Sequence, residues 1–235
     1  MGTLPKICEN QSDQLSLPCQ GFMKQLVSCK AVREVPAQHV IHSQGEIIHN
    51  GYFICEGLVK VSHVMPDGKR MIVAVRRGGW VPGLGSIVGK FAFPNTAETI
   101  TRCKLRSFSP EQFRQLMETD ARFASWVARL LASAFYGTSM KMIEKSLLSG
   151  RERLEKFIWE MAESTPHNGN HKNIKMQSVL KRWEIAQLLS LTPQHLARLT
   201  KEMEDEGILK RQKGWFILMD PERLRRPGLL VPPHI

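Results

Sequence analysis

The stretch from Lys181 to Met219, KRWEIAQLLSLTPQHLARLTKEMEDEGILKRQKGWFILM, decides how the whole chain reads. Ile185, Leu188 and Leu189 recur at i, i+3 and i+4, which puts them on one face of a short helix, and Ala186 is small enough for a close crossing. Ser190 and Leu191 make a tight connection. Thr192 followed by Pro193 then starts a second helix, with a hydroxyl as cap and a ring whose φ is already helical. Along it Leu196, Leu199 and Met203 share an apolar face, while Gln194, Arg198 and Lys201, with His195 beside them, line the opposite one with hydrogen-bond donors. Gly207 stops the helix, and Ile208-Leu209, the basic turn KRQKG and the run Trp215 to Met219 read as two strands of a hairpin.

Two helices joined by a tight turn and followed by a basic hairpin make a winged helix-turn-helix. Its second helix has the shape that enters a major groove, where Arg and Gln pair with base edges. The competing interpretation is a helical hairpin that packs another element or simply presents a solvated face. Capping, spacing and wing all agree against it.

Working outward, 235 residues suffice for two domains with full cores, and 42% hydrophobic with 23% charged residues is a globular balance. No apolar run approaches the ~20 residues needed to span a bilayer. The start, MGTLPKICENQSDQ, has no apolar signal core, so a cytoplasmic location and no membrane partner are expected. The net charge of +11 suits a polyanion. It does not single out the C-terminal part, because residues 1–149 carry 18 Lys+Arg against 11 Asp+Glu and residues 150–235 carry 15 against 11. Cys8, Cys19, Cys29, Cys55 and Cys103 are odd in number with no CxxC pair, which argues against a disulfide framework or a zinc knuckle.

Ahead of the reader, residues 1–30 carry little pattern beyond Ser16-Leu17-Pro18 and one or two helical turns from Phe22 to Val27. Residues 31–119 alternate short strands with turns: Val40-Ile41, Glu46 to Ile48, Tyr52 to Cys55, Leu58 to Met65, Met71 to Val75, Thr96 to Ile100 and Leu105 to Phe108. Pro66-Asp67-Gly68 is a hairpin turn, and glycines recur at corners, so an antiparallel β-roll of jelly-roll type is expected. Pro110 opens a short helix. From Asp120 to about Leu148 a longer helix follows, apolar on more than one side, and residues 120–149 are expected to be a dimerisation helix ending in a hinge at Ser149-Gly150. Residues 150–226 form the winged-helix domain, beginning with a helix Arg151 to Ala162 and including a polar loop Ser164 to Asn173, and 227–235 a Pro-rich tail. The fold class is α+β.

In this order the elements resemble the Crp/Fnr regulator family, over roughly residues 31–220, most specifically in ICEGLVKVSH-x-MPDGKRMIV and EIAQLLSLTPQHLARLTKEMEDEGIL. The resemblance implies a cyclic-nucleotide-binding-like roll and a cytoplasmic homodimer on palindromic double-stranded promoter DNA. It also implies RNA polymerase as a partner and control, usually activation, of transcription by a signal sensed in the roll. It places base reading at Gln194 and Arg198, with Gln194 standing where the family usually has Glu, and His195 beside them is a further base-reading candidate. Phosphate contacts fall to Arg182, Thr192 and Lys201, and Lys213 at the wing tip has the reach for another.

The family's cyclic-nucleotide cassette is altered. Val81-Pro82-Gly83-Leu84-Gly85 lacks the ribose-binding Glu, and Asn95-Thr96-Ala97 lacks the Arg that neutralises the cyclic phosphate, so cyclic AMP is not expected to bind. Thr138-Ser139 still resembles the pair that contacts the adenine. An effector pocket is therefore expected among Trp80, Leu84, Gly85, Phe91, Phe93, Asn95, Thr96, Thr138 and Ser139, with Lys69, Arg70, Arg76 and Arg77 as cations for a small anionic effector or as a solvated face. The gaps between Cys8, Cys19 and Cys29 do not reproduce an iron–sulfur cluster site. His39, His42, His49 and His63 are available to a haem, but no pattern selects one. A thiol or haem sensor of the same fold, and a sensor working through protein contacts, remain the alternatives; no nucleophile–base pair, metal spacing or phosphate loop points to an enzyme.

Overall fold

The computed structural model describes residues 32–163, 165, 173–212 and 214–224, so Cys8, Cys19, Cys29, Lys213, most of the polar loop and the tail lie outside the described residues. The chain divides into two compact units whose boundary falls between Ser139 and Met140.

In the first unit seven strands form two antiparallel sheets: β1 (Arg33–Val35), β2 (Val40–His42), β3 (Gly51–Glu56), β4 (Leu58–Val64), β5 (Arg70–Arg77), β6 (Thr96–Thr99) and β7 (Cys103–Phe108). One sheet runs β1-β7-β3 and the other β2-β6-β4-β5. Alternation along β3 and β7 sends side chains to opposite faces. On the inner face Val35, Ile54 and Leu105 meet Ile41, Val59 and Ala97 of the other sheet. On the outer face Phe53 and Phe108 pack with helices α1 (Leu84–Gly89), α2 (Pro110–Thr119) and the first half of α3 (Ala121–Leu147), through Leu84, Ile87, Phe113, Phe123, Trp126 and Leu130. Phe108, Phe113, Phe123 and Trp126 form a chain of ring contacts 5.0–5.4 Å apart.

The β4–β5 hairpin turns at Pro66-Asp67-Gly68, where Gly68 takes φ 83° and donates to the Met65 carbonyl at 2.9 Å. Such a φ suits a residue without Cβ. Glu46-Ile47-Ile48, expected as a strand, is not one: the Glu46 carboxylate accepts from the Ser43 amide at 2.8 Å, and Ile47 is exposed. Strand β1 and helix α1 carried no readable period, being three and six residues long.

The second unit holds the rest of α3, α4 (Gly150–Glu163), α5 (Arg182–Leu188), α6 (Pro193–Asp205) and a sheet ordered β8 (Ile174–Gln177), β10 (Trp215–Leu218), β9 (Leu209–Gln212). Between α3 and α4, Ser149 and Glu152 cap each other: the Ser149 amide donates to the Glu152 carboxylate at 2.7 Å, and the Ser149 hydroxyl accepts from the Glu152 amide at 3.2 Å. Leu154, Phe157, Ile158 and Met161 of α4 are all fully buried, as their spacing predicts. Strand β8 completes a three-stranded wing that the sequence reading had as two strands.

Candidate nucleic-acid interface

Helix α5 begins where the Glu184 carboxylate turns back to accept from the Lys181 amide at 2.9 Å. Its apolar face, Ile185, Ala186, Leu188 and Leu189, is buried. The turn to α6 is closed by the Leu191 amide donating to the Ala186 carbonyl at 2.8 Å, with Ser190 held at φ 54°. A non-glycine residue in the left-handed region stores strain, so this turn's geometry is imposed by the packing of the helices on either side. Thr192 caps α6, its hydroxyl accepting from the His195 amide at 3.1 Å, and Pro193 occupies the first helical position.

Leu196, Leu199 and Met203 face the interior, and Gln194, Arg198 and Lys201 lie exposed on the opposite side. Their charges are partnered along the helix: Arg198 Nη1 donates to Glu202 Oε1 and Lys201 Nζ to Asp205 Oδ1, both at 2.6 Å. The Asp205 bond holds the Lys201 ammonium above its usual range. His195 is half-buried, and a Cβ added to Gly150 would sit 3.2 Å from its ring. It therefore packs toward the start of α4 more than Gln194 or Arg198 do. Arg182 is exposed at the first position of α5, and Thr192 is exposed at its cap.

The helix is anchored at its far end. Arg151 of α4 forks onto Glu206 with two bonds of 2.6 Å and donates to the buried Glu155 at 2.7 Å, which holds the guanidinium above its usual range. The Arg223 guanidinium donates to the Glu206 carbonyl at 2.8 Å. Glu204 ties α6 to the wing through the Arg211 amide and guanidinium at 2.8–3.0 Å. On the wing, Lys175 of β8 lies 4.5 Å from the centre of the Trp215 ring. Sequence reasoning missed Lys175; the signal was the Ile174/Met176 alternation beside the polar loop, with both apolar side chains buried.

In the roll the sequence-predicted effector residues scatter over different environments. Leu84 is 3% exposed in the helix-facing core, whereas Phe91 and Gly85 are exposed. Trp80 bridges to Ile54 and carries the Arg76 guanidinium 4.7 Å above its ring. The Thr96 hydroxyl accepts from the Gln44 amide at 3.0 Å, and the exposed Thr138 hydroxyl donates to the Ala134 carbonyl at 2.8 Å. Ser139, on the same helix, is half-buried. Gly83, at φ 69°, lies against Phe93, whose ring stacks on His42 at 3.7 Å. A Cβ at Gly83 would overlap the Phe93 ring. Burial holds the His42 imidazole down to about 4, with Glu46 and the Asn95 backbone opposing, and its Nδ1 has no partner. Burial also raises the Cys55 and Cys103 thiols, the state of a poorly reactive cysteine. Among the described residues no His, Cys, Asp and Glu cluster could hold a metal, and no helix is long and apolar enough to cross a membrane.

A family model of the cyclic nucleotide-binding domain matches residues 32–120, and one of the Crp-like helix-turn-helix domain matches residues 152–227. The cAMP-activated global transcriptional regulator CRP of Haemophilus influenzae is 23% identical over 179 residues, 76% of this chain and 79% of that one. Among solved structures, FixK2 of Bradyrhizobium japonicum matches with a TM-score of 0.69 and 22% identity, covering 83% of this chain and 96% of that one. The c-di-GMP responsive global regulator CLP of Xanthomonas campestris matches with a TM-score of 0.74 and 18% identity, covering 86% and 99%. Two domains in the family's order, each recognised by its own model, make this chain a transcription regulator of the Crp/Fnr family with a helix-turn-helix DNA-binding domain.

Proposed function

We propose that the chain works as a cytoplasmic homodimer that binds a palindromic promoter site through Gln194 and Arg198 and regulates transcription, most simply as an activator acting with RNA polymerase. The observation that carries this reading is the capped helix α6, which presents an exposed row of donors on the face opposite its buried one. Arg198 would pair with guanine O6 and N7 and Gln194 with adenine. Arg182, Thr192, Lys201 and Lys213 would hold the phosphates and fix the register. His195, half-buried, has the smaller part in base reading.

Dimerisation is supported by α3, where Phe135, Tyr136, Met142, Ile143 and Leu147 are exposed, Phe135 and Met142 seven residues apart, Tyr136 and Ile143 likewise, and Ile143 and Leu147 four apart. Phe135, Met142 and Leu147 are 76%, 68% and 74% exposed. Such a stripe is buried most simply by the same helix of a second copy.

The signal is other than cyclic AMP. The side chain that would hold the ribose is absent at Gly83, where Phe93 leaves no room for one, and Asn95 supplies no cation for a phosphate. We infer that its receptor lies in the roll, with Trp80, Asn95, Thr96, Thr138 and Ser139 as the candidate residues, although they stand in different environments. No reaction is assigned to the chain.

A footprint of the purified protein on random genomic fragments tests this reading. A protected two-fold symmetric site, with log affinity falling steeply against log salt, is the expected result. Absence of any protected site would overturn it and leave a sensor that docks on other proteins.

A further inference from the structure

A cavity of about 230 Å³ is lined by residues from both sheets of the roll. On its sheet β1-β7-β3 wall, Arg33 is the register partner of Leu105, and Tyr52 is the partner of Ser107. Leu105 and Ser107 are two apart on β7, so these four side chains stand on one face at neighbouring positions. Asn50 comes from the start of the same edge, and His39 and Ile41 come from the facing sheet and its approach. Val35, Ile41 and Leu105, all buried, make an apolar floor.

The polar side chains around that floor are Arg33, His39, Asn50, Tyr52 and Ser107. None of them makes a side-chain hydrogen bond or ion pair with another described residue, although four of the five are half-buried. Among the described residues no carboxylate lines the cavity. The nearest along the chain, Glu34, alternates to the other face of β1 and pairs with Arg102 at 3.4 Å. Polar groups without protein partners among the described residues, set around a greasy floor beside one guanidinium, describe a receptor for an anion with an apolar body.

We propose that this cavity is a binding site for a small aliphatic carboxylate. The Arg33 fork would take the carboxylate, Ser107, Tyr52 and Asn50 would supply further hydrogen bonds, and the aliphatic body would lie on Val35, Ile41 and Leu105. The volume is that of about eight water molecules at ~30 Å³ each, which suits a short acid. The site uses none of the residues assigned to DNA contact or to the altered nucleotide cassette, so it stands or falls separately from the proposed function.

The test is calorimetric titration of the full chain, without DNA, with pentanoate, its neutral amide pentanamide, and inorganic phosphate. One pentanoate per chain is expected, with pentanamide at least tenfold weaker and phosphate weaker than pentanoate because it leaves the floor uncovered. Arg33→Gln, a change at an exposed position, should weaken pentanoate at least tenfold without moving the melting temperature. Ser107→Leu, which fills the cavity, should abolish binding; should Arg33→Gln fail to fold, Ser107→Leu and Tyr52→Phe carry the test. Equal binding of acid and amide, preference for phosphate, pentanoate affinity unchanged in these variants, or no binding of pentanoate would each overturn the proposal.

Discussion

Arg198 is held by Glu202: its Nη1 donates to Oε1 at 2.6 Å across one turn of α6, on the exposed face of that helix. Without DNA the guanidinium proposed to read a guanine is therefore already occupied by a carboxylate, and binding has to exchange that partner for a base edge. An exposed pair of this kind is worth at most about 1 kcal/mol. Glu202→Gln should therefore strengthen binding to specific and nonspecific DNA alike, up to about fivefold, with the ratio between the two nearly unchanged. Fluorescence anisotropy with both duplexes checks this; weaker binding would show that Glu202 orients Arg198 rather than competes for it.

Arg151 joins the start of α4 to the end of α6 through Glu206 and neutralises Glu155, a carboxylate 1% exposed whose second oxygen has no partner. Removing the cation strands a buried charge, which costs about 3 kcal/mol. Arg151→Leu should lower stability by that amount in urea unfolding, and the double variant with Glu155→Leu should recover part of it. Equal losses in the single and double variants would contradict the coupling.

His42 supplies a pH dependence whose sign follows from its burial. Its folded value, about 4, lies below the unfolded 6.5, so the unfolded chain binds the extra proton between those two values. The group's contribution is complete above about pH 6.5, declines as the pH falls toward 4 and is flat below it. The full swing is at most about 3 kcal/mol. His42→Phe, which keeps a ring against Phe93, should flatten the stability profile between pH 6.5 and 4; an unchanged slope there would show that other groups carry it.

Along α3 the exposed stripe sets a further expectation. Phe135→Glu combined with Leu147→Glu should halve the mass seen by light scattering and leave the far-ultraviolet helix signal intact. A species of unchanged mass would place any dimer contact elsewhere.

Much of this was legible in the sequence because the local signals were redundant. Around α6, the cap at Thr192, the apolar triplet Leu196, Leu199 and Met203, and the stop at Gly207 each give the same boundaries, and Asp120 and Pro110 likewise mark α3 and α2. What was missed is short or set by long-range packing. Strand β1 has three residues, β8 pairs with β10 some forty positions later, and Glu46-Ile47-Ile48 has a strand's composition but joins no strand ladder, although the Glu46 carbonyl accepts from the Phe93 amide at 3.1 Å. Ser190 gives no hint in sequence that it takes φ 54°, since a serine there is read as an ordinary turn residue. In the roll, burial decided what residue type could not: Leu84 is core, and Gly83 is crowded by Phe93, an aromatic ring ten residues away.

The central claim, that Arg198 of α6 reads a guanine in each half of a symmetric site, is tested most directly by measuring wild type and Arg198→Ala on the footprinted palindrome and on the same duplex with that guanine replaced in both halves. The account predicts that the wild type loses affinity on the altered duplex by about 1–3 kcal/mol per half-site, and that Arg198→Ala binds both duplexes equally and weakly with the fold intact. Retention of the wild-type preference by Arg198→Ala would contradict it.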